Sequence, residues 1–149
     1  MPNRVVVFDS NVLIPLLITA SRSTRLFSRL RSAGWHVAAS PQLLAEVKDK
    51  LMTKQSLRRW LDVSDEKITQ FVDHDLPGKT RWIPGIRQAH GAVPADPKDD
   101  IVIAAALEAK AEYLISEDKH LLDLDQYQGI KIMNREQFGA ELDRLGVGE

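Results

Sequence analysis

Val5-Val6-Val7-Phe8 is an unbroken apolar run that stops at Asp9-Ser10-Asn11. A strand with one wet face alternates apolar and polar residues, whereas a continuous run belongs to a strand covered on both faces, the usual condition in a parallel sheet. Parallel neighbours cannot be joined by a tight hairpin, so the run predicts a helix-containing crossover behind each strand. The rest of the chain supplies that alternation. Arg22 to Arg31 carries Leu26, Phe27 and Leu30 at helical spacing and ends before Gly34. Trp35 to Ala39 reads as the next strand. Ser40-Pro41 is an N-cap followed by proline in the first turn, with Leu43, Leu44, Val47 and Leu51 behind it. Ser64-Asp65-Glu66 opens a helix carrying Ile68, Phe71 and Val72, its acids where the macrodipole favours them.

Residues 73–97 are rich in proline and glycine and predict a loop with one short strand near Trp82-Ile83. From Asp99 the alternation resumes. Ile101 to Leu107 is an apolar, alanine-rich helix, Tyr113 to Ser116 a short buried strand, and Asp118 to Leu124 a further helical turn or two. Ile130 to Met133 is a last strand, and Asn134 with Gln137 forms a capping box before Phe138, Leu142 and Leu145. Strand and helix in alternation predict an α/β fold, a parallel sheet covered by helices on both faces. With 149 residues and no repeat or linker, we expect one domain over 1–149. A chain of this length buries roughly 68–70% of its unfolded surface, enough for a core without disulfides or a structural metal.

Absence of cysteine rules out a thiol nucleophile, a CxxC redox pair and cysteine-based zinc sites. No apolar run approaches the thickness of a bilayer, and Met1 to Ser10 is too short and too acidic for a secretory leader, so the expected setting is the cytoplasm, with no membrane partner. Net charge is −1, but it is unevenly distributed. Residues 1–60 hold ten Lys or Arg against three acids, and residues 61–149 hold ten against eighteen. That split suits a first half facing a polyanion or acidic partner, or simply charges on solvated helix faces.

Ligands of an open parallel sheet sit beyond the carboxyl ends of its strands. Asp9 directly follows the first strand, and Glu117-Asp118 directly follows the strand at Tyr113 to Ser116. Asp99 and Asp100 open the helix leading into that strand, and Glu46 flanks the apolar stripe of the helix after Ala39. Any one of these could close a turn, cap a helix or face solvent, as could Asp96 near Pro97. Their joint placement is what suggests a site. Two unit charges about 4 Å apart repel by roughly 4 kcal/mol at an effective dielectric of 20, a conflict that a divalent cation removes. Ligands that are all carboxylate oxygen favour Mg²⁺ or Mn²⁺, ions suited to phosphodiester hydrolysis.

Arg22, Arg25 and Arg29 share one helical face, and Lys48, Lys50, Lys54, Arg58 and Arg59 crowd the next helical region; either set suits phosphate or a partner, and either could equally be a solvated face. His36, His74, His90 and His120 form no HxH or HxxxH pair, while Asp73-His74-Asp75 is a weak metal candidate. Trp35, Trp60 and Trp82 are expected in the core or at an interface rather than as stacking platforms for bases.

Four stretches together resemble the PIN-domain nucleases, most closely the VapC-like toxin components of toxin–antitoxin systems. They are Val7 to Asn11, Leu44 to Val47, Asp96 to Asp100, and Tyr113 to Leu122. The resemblance runs from Val5 to about Met133 and implies a three-layer α/β/α sandwich with a central, mostly parallel sheet. It implies an endoribonuclease dependent on Mg²⁺ or Mn²⁺, with RNA as substrate, an antitoxin protein as partner and a homodimer as assembly. By position, Asp9, Glu46, Asp99 or Asp100, and Asp118 would be the catalytic acids, with Asp9, Asp99 or Asp100, and Asp118 on metal. Asn11 and Ser116 would be auxiliary polar residues, and Glu117 occupies a variable position. Asn11 in place of a second acid argues against a haloacid-dehalogenase-like phosphatase, and the position of Lys119 argues against a receiver domain. A PIN-like module that binds RNA or protein without cutting, and a housekeeping RNA-processing nuclease without an antitoxin, remain open.

Overall fold

A computed structural model describes residues 4–86 and 100–148. Its centre is β1 (Val5–Phe8), whose four residues are all buried, as the unbroken apolar run requires. β2 (His36–Ala39) pairs with it on one side and β4 (Tyr113–Ile115) on the other, both parallel. β3 (Arg81–Trp82) extends the sheet beyond β2, and β6 (Ile130–Met133) beyond β4, again in parallel. The order is β3-β2-β1-β4-β6-β5, with β5 (Gln126–Tyr127) antiparallel to β6 at the edge. The chain winds outward from β1 in one direction and then returns to wind outward in the other. The switch lies between β1 and β4, and in open α/β sheets the carboxyl ends of the strands beside such a switch are where ligands bind.

The crossovers use the predicted caps. Ser21 Oγ accepts from Thr24 N at 3.1 Å to start α2 (Arg22–Ser32), and Ser40 Oγ accepts from Leu43 N at 3.2 Å to start α3 (Pro41–Thr53). The capping box of Asn134 and Gln137 starts α9 (Arg135–Arg144). Between β1 and α2 there is a single turn, α1 (Ser10–Leu13), followed by a 3-10 turn at Ile14–Leu17 that holds Pro15. After α3 come α4 (Gln55–Leu61) and α5 (Asp65–Gln70). α7 (Asp100–Ala109) is buried along Val102 to Ala106, as its uniformly apolar sequence predicts. A short α8 (Lys119–Leu122) follows β4. Helices α2 and α9 pack together, as do α3 and α7, making the helical layers of an α/β/α sandwich.

Two local expectations need correction. Residues 73–79 are helical rather than loop: α5 runs on through a π turn at Phe71–Asp75 into α6 (Leu76–Lys79). Proline clashes with the carbonyl four residues back in an ordinary helix, and the wider turn, in which Leu76 N donates to Phe71 O, admits Pro77. The short strand near Trp82 is present, while residues 87–97 of the anticipated loop lie outside the described residues. The second correction is the β5–β6 hairpin. Gln128 and Gly129 both have positive φ, 47° and 86°, the backbone of a turn that brings strands into antiparallel pairing.

On the α9 face, Tyr113, Trp35 and Phe138 stack edge and face at 5.2 to 6.1 Å between ring centres. Arg4 lies 4.4 Å over the Trp35 ring. Trp35 is core as expected, but Trp60 and Trp82 stand at the surface, 67% and 55% exposed.

Candidate active site

β1 ends at Phe8; the Asp9 backbone N–H makes one more sheet-like bond, to Ile115 O at 2.9 Å, and the chain then turns into α1. The Asp9 side chain folds back as the N-cap, Oδ1 accepting from Ser10 N at 2.8 Å. Oδ2 accepts from Ser116 Oγ at 2.7 Å, across the switch between β1 and β4. The residue is 4% exposed. Burial pushes the carboxyl above its ordinary range. Hydrogen bonds from Ser116 and Ser10 and the positive charge of Lys50 pull it back, and the nearby charge of Asp118 pushes it up further. A carboxylate offers about four lone-pair directions, so its bonds to Ser10 and Ser116 leave it capacity for more.

Ser116 is the hub of this edge. Its Oγ gives its proton to Asp9 and accepts from Asp118 N at 3.0 Å and from Asn11 Nδ2 at 3.5 Å. Asn11 Oδ1 accepts from Glu117 N at 3.2 Å, so Asn11 clamps the turn that delivers Asp118. Asp118 Oδ1 caps α8 by accepting from His120 N at 2.8 Å. The auxiliary pair expected from the sequence therefore joins the two strand ends. Glu46, on α3, is largely buried, with Lys50 Nζ 3.6 Å from its Oε1. Lys50 Nζ also donates to Ser10 Oγ at 2.6 Å, tying α3 to the end of β1. In the sequence Lys50 stands in a basic crowd, and its i,i+4 spacing from Glu46 is the signal that marks it out. Asp100 opens α7 at intermediate exposure; Asp96 and Asp99 lie outside the described residues.

Among the described residues no three His, Asp or Glu groups stand close enough to enclose a metal ion. The donors that do converge suit a hard cation all the same. They are carboxylate oxygens without His or Cys, and one of them, Asp9, is a buried anion whose charge burial disfavours. Asp73-His74-Asp75 lies on an exposed surface, where Asp73 pairs with Lys48 at 3.1 Å.

Beside this edge lies a basic cleft of about 410 Å³, lined by Arg22, Arg25, Leu26, Arg29, Arg135 and Glu136. Arg22 and Arg25 are exposed, whereas Arg29 is buried, its Nη2 donating to Asp143 Oδ1 at 2.8 Å and Val147 O at 2.6 Å. Arg135 was not singled out from the sequence. Its Nη1 donates to Ser23 Oγ at 3.2 Å, its Nη2 lies 3.4 Å from Glu117 Oε1, and its backbone N donates to Glu117 Oε2 at 3.1 Å. Glu117 thus anchors the start of α9 and turns away from the acidic set.

A family model for the PIN domain matches residues 5–120. The chain belongs to the PIN domain family. The matched stretch contains Asp9, Glu46, Asp100 and Asp118 and leaves out α9. A chain in the crystal structure of VapBC2 from Rickettsia felis bound to a DNA fragment from their promoter is similar in fold. The TM-score is 0.60 at 13% identity, over 87% of this chain and 98% of that one. The PIN domain of RRP44 from T. brucei gives a TM-score of 0.48 at 13% identity, covering 97% of this chain and 83% of that one. No curated protein matches the chain at a significant level. PIN domains are generally nucleases, which makes hydrolysis the chemistry to seek at this edge.

Proposed function

We propose that this PIN domain is an endoribonuclease dependent on Mg²⁺ or Mn²⁺, acting as the toxin of a type II toxin–antitoxin system. The observation that carries the reading is the Asp9 carboxylate, buried at the switch between β1 and β4 and linked through the Ser116 hydroxyl to the backbone of Asp118. Asp9, Asp118 and Asp99 or Asp100 would hold the ion, with Glu46 as the further catalytic acid. An ion held there would supply Lewis acidity suited to phosphodiester hydrolysis. The protein's own part is orientation. Ser116 fixes Asp9 and the turn bearing Asp118, Asn11 locks that turn, and Lys50 holds Glu46 near Ser10 and offers positive charge toward a phosphate. Such outer bonds commonly set ligand geometry at metal sites.

RNA is the proposed substrate and an antitoxin protein the proposed regulator, in a cytoplasmic homodimer. The fold likeness to a chain of the VapBC2 complex supports the toxin reading. None of the described helices is long and apolar enough to cross a membrane. The test is incubation of purified protein with mixed single-stranded and structured RNAs in Mg²⁺, Mn²⁺ or EDTA, alongside Asp9→Asn. Cleavage that needs metal and disappears in the variant is the expected result. Folded protein, free of any copurified antitoxin, that cuts in neither metal would overturn it in favour of a non-cleaving binding module.

A further inference from the structure

The arginines of α2 call for an occupant. This helix, Arg22–Ser32, has no acid in its eleven residues and places Arg22, Arg25 and Arg29 at i, i+3 and i+7 on one side. Arg135 enters the same cleft from α9, so four guanidinium groups line one depression with a single acid, Glu136. Among the described residues neither Arg22 nor Arg25 has an ion-pair partner. The Nε–H groups of Arg29 and Arg135 are buried and lack any acceptor. Arg29 and Arg135 are thus fixed by internal contacts, Arg22 and Arg25 stand exposed beside them, and the lining carries four cations against one acid.

Its position gives the cleft a direction. Arg135 bonds Glu117, the residue before Asp118, on one side and Ser23, the residue after Arg22, on the other. The cleft thus begins where the acidic edge stops. We propose that it is a phosphate-binding track that holds the backbone of single-stranded RNA flanking the cleaved bond. In it, Arg22 and Arg25 contact phosphate, and Arg29 and Arg135 form its fixed floor. The proposal rests on the nuclease reading for its substrate but not for its chemistry. Planar guanidinium forks match phosphate oxygens two at a time, and buried neighbours hold part of the array in place before binding. Protein interfaces centre on apolar and aromatic anchors, and the exposed large apolar residues among those described, Trp60, Trp82 and Ile86, all lie outside this cleft. That favours a polyanion over a protein partner.

The experiment is fluorescence anisotropy of a labelled oligouridylate with wild-type protein in EDTA, RNA integrity being checked on a gel. Arg22→Gln/Arg25→Gln is compared with Lys67→Gln/Lys79→Gln, which removes the same charge from other exposed positions. The arginine pair should weaken binding roughly tenfold and flatten the log-affinity against log-salt slope by about 1.4, while the lysine pair leaves both near wild type. Equal effects of the two pairs, or none from the arginine pair, would overturn the track, as would arginine variants that keep RNA affinity and lose only a protein partner. Arginine-dependent RNA binding without cleavage in any metal would leave the track standing and remove the nuclease reading; cleavage with arginine-independent binding would do the opposite.

Discussion

Asp9 is a carboxylate held where its charge is disfavoured. Burial is the largest influence on it, and the bonds from Ser116 and Ser10 only partly offset that burial. An asparagine there keeps an oxygen for Ser10 N and discards the charge, while its N–H₂ replaces the oxygen that accepts from Ser116 Oγ–H. Burial outweighs that bond in its effect on the carboxyl, so without metal Asp9→Asn should melt at or above wild type. Saturating Mg²⁺ or Mn²⁺ should reverse the order, since an ion bound only by the native wild type adds roughly 2.7 kcal/mol at a hundredfold excess over Kd. Thermal melts in EDTA and in metal read both effects. A variant that melts well below wild type in EDTA would mean that the hydrogen bonds to the charged form outweigh its desolvation. Asp9 and Asp118 were legible as candidates because they come just after strands, and Asn11 and Ser116 through the resemblance to PIN-domain nucleases. Lys50 and Arg135 were not, because each acts by reaching another element.

At the scale of elements, α2 and α9 form a pair whose joint depends on Arg29. Like charges three and four residues apart disfavour α2 by about 0.2–0.5 kcal/mol per pair, and Arg29 answers this by turning inward to Asp143 and the carbonyl of Val147. Arg29→Met should therefore cost roughly 1.5–3 kcal/mol in urea unfolding, the range for hydrogen bonds to a charged group, whereas exposed Arg22→Gln should stay within about 0.5. Amide exchange should locate the damage at residues 145–148, whose backbone the Arg29 contact helps to hold. Unchanged protection there would show that α9 and its following turn stand without the contact. The helix over 73–79 and the β5 arm that makes a hairpin with β6 are what local reading missed or mistook. In the first a π turn admits a proline normally taken as a breaker, and in the second the turn depends on a glutamine at positive φ.

Across the whole molecule, β4 and α9 are joined by Tyr113 Oη donating to Glu141 Oε2 at 2.8 Å. Arg144 and then Tyr113 hold the Glu141 carboxyl down to about 2, and burial, then Glu141, push the Tyr113 hydroxyl up to about 12. The glutamate's folded value lies below its unfolded one, so its stabilisation is complete above about 4.5 and fades as pH falls toward 2. The tyrosine's lies above, so its stabilisation is complete below about 10 and fades as pH rises toward 12. Urea midpoints measured against pH should show both limbs, with Glu141→Gln flattening the acid one and Tyr113→Phe the alkaline one. An acid limb unchanged in Glu141→Gln would show that other carboxylates carry it.

Alternating strand and helix, the buried central strand, the caps at Ser40 and Asn134 and the acids at two strand ends were all determined by the sequence itself. Each depends on periodicity or on neighbours a few residues apart, and such local physics is written along the chain. Tertiary structure decided what lies far apart in the chain: the strand order that puts Asp9 beside Ser116, the inward turn of Arg29, and the joining of Arg135 to both Glu117 and Ser23. A side chain's periodic position says which way it leaves its element; which partner waits there depends on how the elements pack.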